Sequence, residues 1–311
     1  MYYRSKNLLT RIEDYHPELI DRSFVHEIEP FIFSNSLKNW TAFKLWSPSF
    51  FKEKYGEKEF NVNPNLPDKV CPYFYNAKSY HAIMKFADFI ELMSENNSCY
   101  LAQEDMSVFK ELKEDYNFYD LIPSSVNRDC DASVNLWLGA NTRSGLHFDN
   151  CDNFLAQIYG TKTVVLIPPE DAKFVYPIPS NFFKSPVNPL DPDFSEFPKF
   201  KKAKIFEGQL NAGDVLFIPK GWYHYIYSPS QSISLNCWYG PPLTPKDLLL
   251  TFYRSGWRSW LATIKDFVWF GILSRPFEAK LYSAPPVGKG VYELIKEKVH
   301  RVCSKVIKVR G

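Results

Sequence analysis

Apolar and polar positions change rhythm along this chain. Near the start, EIEPFIF reads as a first strand. Ser47-Pro48 opens a helix, since serine caps the free N–H groups and proline suits the first turn. Gly56 ends that helix, and EFNVN follows as a strand. Met84 to Ser94 places apolar residues at helical spacing, and Tyr100-Leu101 begins a short extended piece. From Val134 onward short strands crowd together: VNLWLGA, LHFD, NFLAQIY, KTVVLIPP, AKIFEGQL, DVLFIP, HYIYS and SISLNCWY. So many short strands with turns between them predict a β-sandwich or barrel. Glu170 to Tyr176 reads as one short helix. The proline-rich stretch 177–200 reads as a long loop, of a length that is often functional. After Gly240-Pro241-Pro242 the rhythm becomes helical over 244–273 and 289–308, with SAPPVGKG between. In the last helix Val291, Leu294, Ile295, Val299, Val302 and Val306 share roughly one face, which must bury against the barrel or a second copy of the chain. The fold class is therefore mainly β, with flanking helices. Residues 1–243 form the β unit with its N-terminal α/β segment, and 244–311 form a C-terminal helical extension.

Composition narrows this picture without changing it. The 311 residues are 45% hydrophobic and 23% charged, which excludes a disordered or fibrous chain. Aromatic content of 17%, with 26 Phe and 19 Tyr, suits strands and a large core. The net charge of +2 is unevenly spread: Thr244 to Gly311 hold 13 Lys and Arg against 5 Asp and Glu. A tail of that kind is a solvated helical face, or it meets nucleic acid, an anionic membrane or an acidic partner. Six scattered cysteines without a CxxC pair speak against a disulfide framework or structural zinc. The opening MYYRSKNLLTRIEDYH lacks the apolar run of a signal peptide. The apolar stretch Phe267 to Ser274 is far shorter than the ~20 residues that span a bilayer. The expectation is a soluble protein of the reducing cytoplasm.

The chemistry concentrates in Leu146-His147-Phe148-Asp149. On a strand, residues i and i+2 point the same way, so His147 and Asp149 are expected to project together. Alone, such a pair is more often a satisfied core histidine. A third ligand is available at His224 in GDVLFIPKGWYHYI, where Gly213-Asp214 makes a tight turn and Gly221-Trp222 a bend. Two histidines and one carboxylate hold iron(II) by one side and leave the other positions open. His16, His26, His81 and His300 sit in helix or loop surroundings and read as structural or surface residues.

GDVLFIPKGWYH together with HFD resembles the JmjC-type, cupin-like family of iron(II)- and 2-oxoglutarate-dependent oxygenases. The segments NWTAFKLWSPSFFKEKYG and DPDFSEFPKF are also similar, so the resemblance covers roughly residues 24–240. It is nearest to the type of asparaginyl hydroxylase that acts on hypoxia-inducible factor, and the tRNA wybutosine hydroxylase branch is similar too. The fold implied is a double-stranded β-helix, or jelly-roll barrel. The metal is implied to be Fe(II), held by His147, Asp149 and His224. The same resemblance implies Lys162 on the distal carboxylate of 2-oxoglutarate, with Asn153 as a polar helper. It places Ser144 where the family commonly has a threonine hydroxyl, and Tyr100 within reach of the same carboxylate. Asn236 would stand beside the metal-proximal end, and Trp238 would wall the pocket. The implied activity uses O2, converts 2-oxoglutarate to succinate and hydroxylates a C–H bond. A protein or peptide side chain is the favoured substrate. The alternatives are a modified tRNA base, with the basic tail as its handle, or a non-catalytic cupin-like binding protein. Resemblance also points to a homodimer paired through the C-terminal helices.

Overall fold

In the computed structural model the described residues are 6–13, 17, 29–66, 80–95, 97–122, 133–240, 244–277 and 286–309. His16 and His26 lie outside them, as do the side chains of His300, Val302 and Val306. The chain begins with strands β1 (Lys6–Leu8), β2 (Thr10–Ile12) and β3 (Phe31–Phe33). Helices α1 (Thr41–Leu45) and α2 (Pro48–Tyr55) follow, then β4 (Glu59–Val62), β5 (Ala82–Lys85), α3 (Phe86–Ser94) and β6 (Cys99–Asp105). The barrel strands are β7 (Ser133–Ala140), β8 (Thr142–Arg143), β9 (Leu146–His147), β10 (Asp152–Tyr159), β11 (Lys162–Ile167), β12 (Lys184–Ser185), β13 (Ile205–Leu210), β14 (Val215–Ile218), β15 (Tyr223–Ser228) and β16 (Ser232–Tyr239). Helices α4 (Pro245–Arg254), α5 (Trp257–Asp266) and α6 (Val287–Val309) close the chain.

The first helices form for local reasons. Ser47 Oγ accepts from Phe50 N at 3.1 Å, with Pro48 in the first turn of α2. The helix expected from Met84 begins only at Phe86, because Met84 and Lys85 pair with Phe60 and Glu59 of β4. Here strand pairing overrides a helical rhythm. The single helix expected over 244–273 is broken at Gly256, whose φ of +88° favours glycine. A π-helical turn, Phe267–Ile272, extends α5. Within the predicted loop 177–200, β12 pairs with β9.

Two seven-stranded sheets build the barrel. One runs β1-β13-β11-β15-β9-β12, with β8 beside β15; the other runs β2-β3-β14-β10-β16-β7-β6. Consecutive strands pass between the sheets, so β9, β10 and β11 lie in one, the other and the first again. This is the expected double-stranded β-helix with flanking helices.

The sheets do not spend their largest side chains on each other. In the second sheet Phe154, Leu136, Leu138, Leu235 and Phe217 point outward into one buried cluster with Trp46, Phe51, Phe86 and Phe109 from the N-terminal segment. Phe154 lies 5.0 Å from Tyr239 and 5.3 Å from Phe217 by ring centres. The inward face alternates with it and carries Asn135, Trp137, Asn153, Gln157, Ser234 and Asn236. The stabilising core is thus largely outside the barrel, and the interior is left polar on one wall. Phe154→Ala is expected to cost ~3–5 kcal/mol in urea unfolding. A loss well under 1 kcal/mol would place the main core elsewhere.

Candidate metal centre

Strands β9 and β15 run antiparallel with His147 directly opposite His224. That register puts both imidazoles on one face, with ring centres 4.3 Å apart. Each Nδ1 meets the carbonyl oxygen two residues upstream: Gly145 O at 2.7 Å for His147 and Trp222 O at 3.1 Å for His224. A carbonyl only accepts, so Nδ1 carries a proton on both rings, and in the neutral form each Nε2 presents its lone pair toward Asp149. Asp149 Oδ1 lies 3.8 Å from His147 Nε2, and Oδ2 lies 3.7 Å from His224 Nε2. All three ligand atoms fall within 4.8 Å of one another. Burial and the facing His224 hold the His147 imidazole below its ordinary range, against the pull of Asp149. Neutral imidazole is the form that binds a metal.

The expected route to this convergence is only half right. Strand β9 stops at His147, so Asp149 is not placed by strand alternation. It sits in irregular backbone just past the strand, held where Phe148 N donates to Phe183 O at 3.0 Å and Gly221 N donates to Asp149 O at 3.0 Å. Its carboxylate is aimed by other side chains. Trp238 Nε1 donates to Asp149 Oδ2 at 2.8 Å, and Asn153 Nδ2 donates to the same oxygen at 3.4 Å. Asn236 Nδ2 donates to Asn153 Oδ1 at 3.1 Å, and Trp137 Nε1 donates to Asn236 Oδ1 at 2.7 Å. Tyr100 stands behind Trp137, with ring centres 5.8 Å apart. The structure therefore brings Tyr100, Asn153, Asn236 and Trp238 to one wall and gives Trp238 a donor role beyond walling the pocket.

The opposite wall holds Lys162. Alternation along β11 sets Lys162, Val164 and Leu166 on one face, and Val164 and Leu166 pair with Ile226 and His224. Lys162 is 3% exposed, not a surface hairpin lysine. Among the described residues no carboxylate pairs with it, and burial pushes its ammonium down to about 7. Ser144 bridges to β15 twice: its N–H donates to Ile226 O at 2.8 Å, and its Oγ accepts from Ile226 N at 2.9 Å. The hydroxyl proton stays available for a further partner.

Two neighbours escaped the sequence reading. Lys184 on β12 is register-paired with His147, and burial lowers its ammonium to about 8. Nothing local marks it, because β12 exists only through its pairing. Trp137 did leave a signal: Asn135 and Trp137 alternate with Leu136 and Leu138, a polar face against an apolar one.

Two imidazoles and a carboxylate with converging lone pairs are the donor set of a mononuclear iron(II) site, so the residues present fit that metal. Hydrogen bonds that orient a ligand typically change metal affinity 10–100-fold. Trp238→Phe is expected to weaken cobalt(II), a spectroscopic stand-in for iron(II), by about that factor, read from visible absorption. Unchanged affinity would mean that Trp238 only walls the pocket.

Comparison with known proteins agrees with the architecture. The model of the cupin-like domain matches residues 17–244. A Xenopus tropicalis protein named lysine-specific demethylase 8 is 30% identical over 218 residues, which cover 68% of this chain and 48% of the relative. Jumonji C domain-containing protein 5 of Drosophila melanogaster is 28% identical over 227 residues, covering 68% and 54%. The Gallus gallus tRNA wybutosine-synthesizing protein 5 is 29% identical over 215 residues, covering 61% and 64%. The chain spans about half the length of the first two. The matched stretch contains the strands that carry His147 and His224 and the segment that carries Asp149, and it makes this chain a member of the cupin-like family to which JmjC-domain proteins belong.

Proposed function

We propose that the chain is an iron(II)- and 2-oxoglutarate-dependent oxygenase that hydroxylates a C–H bond, most readily one on a protein or peptide side chain. The observation that carries this is a buried ammonium, Lys162, on the same barrel wall as His224. Four residues along β11 separate Lys162 from the level of His224, or ~13 Å of strand. A small acid with a carboxylate at one end and a chelating group at the other suits that pair. Bound iron and 2-oxoglutarate would supply the oxidation of a C–H bond by O2.

The chain's own part is to bind, orient and exclude. Lys162 pairs with the distal carboxylate in a charge-assisted bond, with the hydroxyl proton of Ser144 and the phenol of Tyr100 on the same group. Val164, Leu166, Leu155 and Leu216 belong to one buried apolar cluster and keep water from that pair. Asn153, Asn236 and Trp238 hold the Asp149 carboxylate in position. His147 and His224 turn Nε2 to the metal because the carbonyl oxygens of Gly145 and Trp222 accept from each Nδ1–H.

The test is succinate release together with a +16 product in peptide and tRNA pools, with Asp149→Ala as the control that should abolish both. A product in the tRNA pool alone would transfer the substrate to nucleic acid, a reading motivated by the basic tail and the wybutosine-synthesizing relatives. Full turnover by Asp149→Ala would remove the metal reading.

Lys162 also sets a pH dependence. Its pKa of about 7 in the folded chain lies below the ordinary 10.5. Between those values the unfolded chain binds more protons, so stability of the unliganded protein should rise with pH across that window. Affinity for 2-oxoglutarate should run the other way and fall as pH climbs above about 7, because the carboxylate needs the charged form. Lys162→Met should flatten both profiles and cost ~3–5 kcal/mol of binding, roughly 10²–10³ in affinity. A wild-type titration that ignores pH would place the distal carboxylate elsewhere.

The extension from Thr244 is proposed to carry self-association through α6. Gly288 and Tyr292 pack against α5 and the π-helical turn, while Leu294, Ile295 and Val299 further along stay exposed. Beside Lys289, Lys296 and Lys298 the same stretch carries Glu293 and Glu297, so each copy offers opposite charges to the other. Leu294→Arg is expected to leave a monomer in sedimentation. A wild-type chain already monomeric at micromolar concentration would contradict the pairing.

A further inference from the structure

Helices α4 and α5 with the π-helical turn present a second apolar surface, distinct from that of α6. Along α5 and the π-helical turn Trp257, Leu261, Ile264, Val268 and Ile272 recur every three or four residues, and all are exposed, Trp257 to 62%; Tyr253 of α4, stacked on Trp260 at 5.4 Å, adds a further exposed ring beside them. The inner face of α5 is already covered. Ser259, Thr263 and Asp266 are buried there, and a Cβ on Gly288 of α6 would come within 2.1 Å of Thr263 O. At 3.6 residues per turn the stripe points away from that packing. It lacks a partner within the described fold.

Charge tells what suits it. From Leu248 to Phe277 the chain has Arg254, Arg258, Lys265 and Arg275, and one acid, Asp266. Asp266 is 1% exposed and lies 3.7 Å from Lys265 Nζ, so the net surface charge of this segment is carried by the three arginines. The cations sit at the level of the aromatic rings: Arg258 lies 5.6 Å from the Trp257 ring centre and Arg275 lies 5.0 Å from that of Trp269. Two such stripes facing each other would bring like charges together. A continuous apolar and aromatic stripe also offers little to a nucleic-acid backbone. Tryptophan and tyrosine between apolar residues, flanked by arginine and lysine, is the composition of helices that lie in a lipid interface. No described helix is long and apolar enough to cross a membrane, which leaves the surface position.

We propose that the α4–α5 stripe docks the chain peripherally on an anionic phospholipid surface, with the apolar side chains in the acyl boundary and Arg254, Arg258 and Arg275 at the headgroups. The proposal is independent of the chemistry at the metal centre.

The full-length chain is tested by cosedimentation with vesicles of phosphatidylcholine alone and of phosphatidylcholine mixed with phosphatidylglycerol. Binding should require the anionic lipid and weaken with added salt. Ile264→Glu should abolish it. Because Arg258 and Arg275 are exposed cations, the double change Arg258→Gln and Arg275→Gln keeps the fold and should weaken binding roughly 30-fold. Cobalt(II) binding should be unaltered in both variants, which separates this surface from the metal site. Wild-type chain that ignores anionic vesicles overturns the proposal. So does an Ile264→Glu chain that binds them as before. Loss of a wild-type dimer in Ile264→Glu, without vesicle binding by wild type, would assign the stripe to self-contact instead.

Discussion

Two imidazoles share one register position on paired strands, with ring centres 4.3 Å apart. Side chains that close cannot both carry charge, and a metal needs lone pairs rather than protons between them. Both requirements are met by one local device used twice. Each histidine donates its Nδ1–H to the carbonyl oxygen two residues upstream, Gly145 or Trp222. The strand pairing then brings the two Nε2 atoms together, and the geometry leaves only the carboxylate to be supplied from elsewhere.

That carboxylate is the least locally determined member of the centre. Asp149 lies past the end of β9, and its aim comes from Trp238 and Asn153 on the opposite sheet. The same sheet continues the chain of donors through Asn236 to Trp137. A polar wall of this kind is tolerable inside a barrel because its groups satisfy one another. Gln157 shows the same economy: it donates to Tyr159 O and Ser232 Oγ, and accepts from Ser234 Oγ.

A polar interior leaves the barrel short of hydrophobic stabilisation, and the N-terminal segment makes up the difference. Its helices lay Phe51, Phe86 and Trp46 on the outer face of the second sheet, where Phe154 and Leu235 meet them. Separating the stabilising core from the functional interior frees the latter to hold a buried cation such as Lys162. The C-terminal helices follow another logic. Small residues at Ser259, Thr263, Gly271 and Gly288 let α5, the π-helical turn and α6 approach closely, and the larger apolar side chains are turned outward.

The sequence by itself determined the succession of short strands and the capped helix at Ser47, because these follow from local period and turn chemistry, and it offered His147, Asp149 and His224 as candidate ligands by residue type. The polar alternation of Asn135 and Trp137 was there to be read as well, and became a wall of the site only in the fold. It placed Met84 in a helix, because pairing with Phe60 is invisible locally. It put Asp149 on a strand that ends two residues earlier. Lys184 had no signal, since β12 exists only where it meets β9. Family likeness suggested Trp238 as a wall of the pocket, but its N–H finds Asp149 across 89 residues of chain. Only the tertiary structure decided these, because non-local hydrogen bonds fix both where a strand stops and which donor a carboxylate meets.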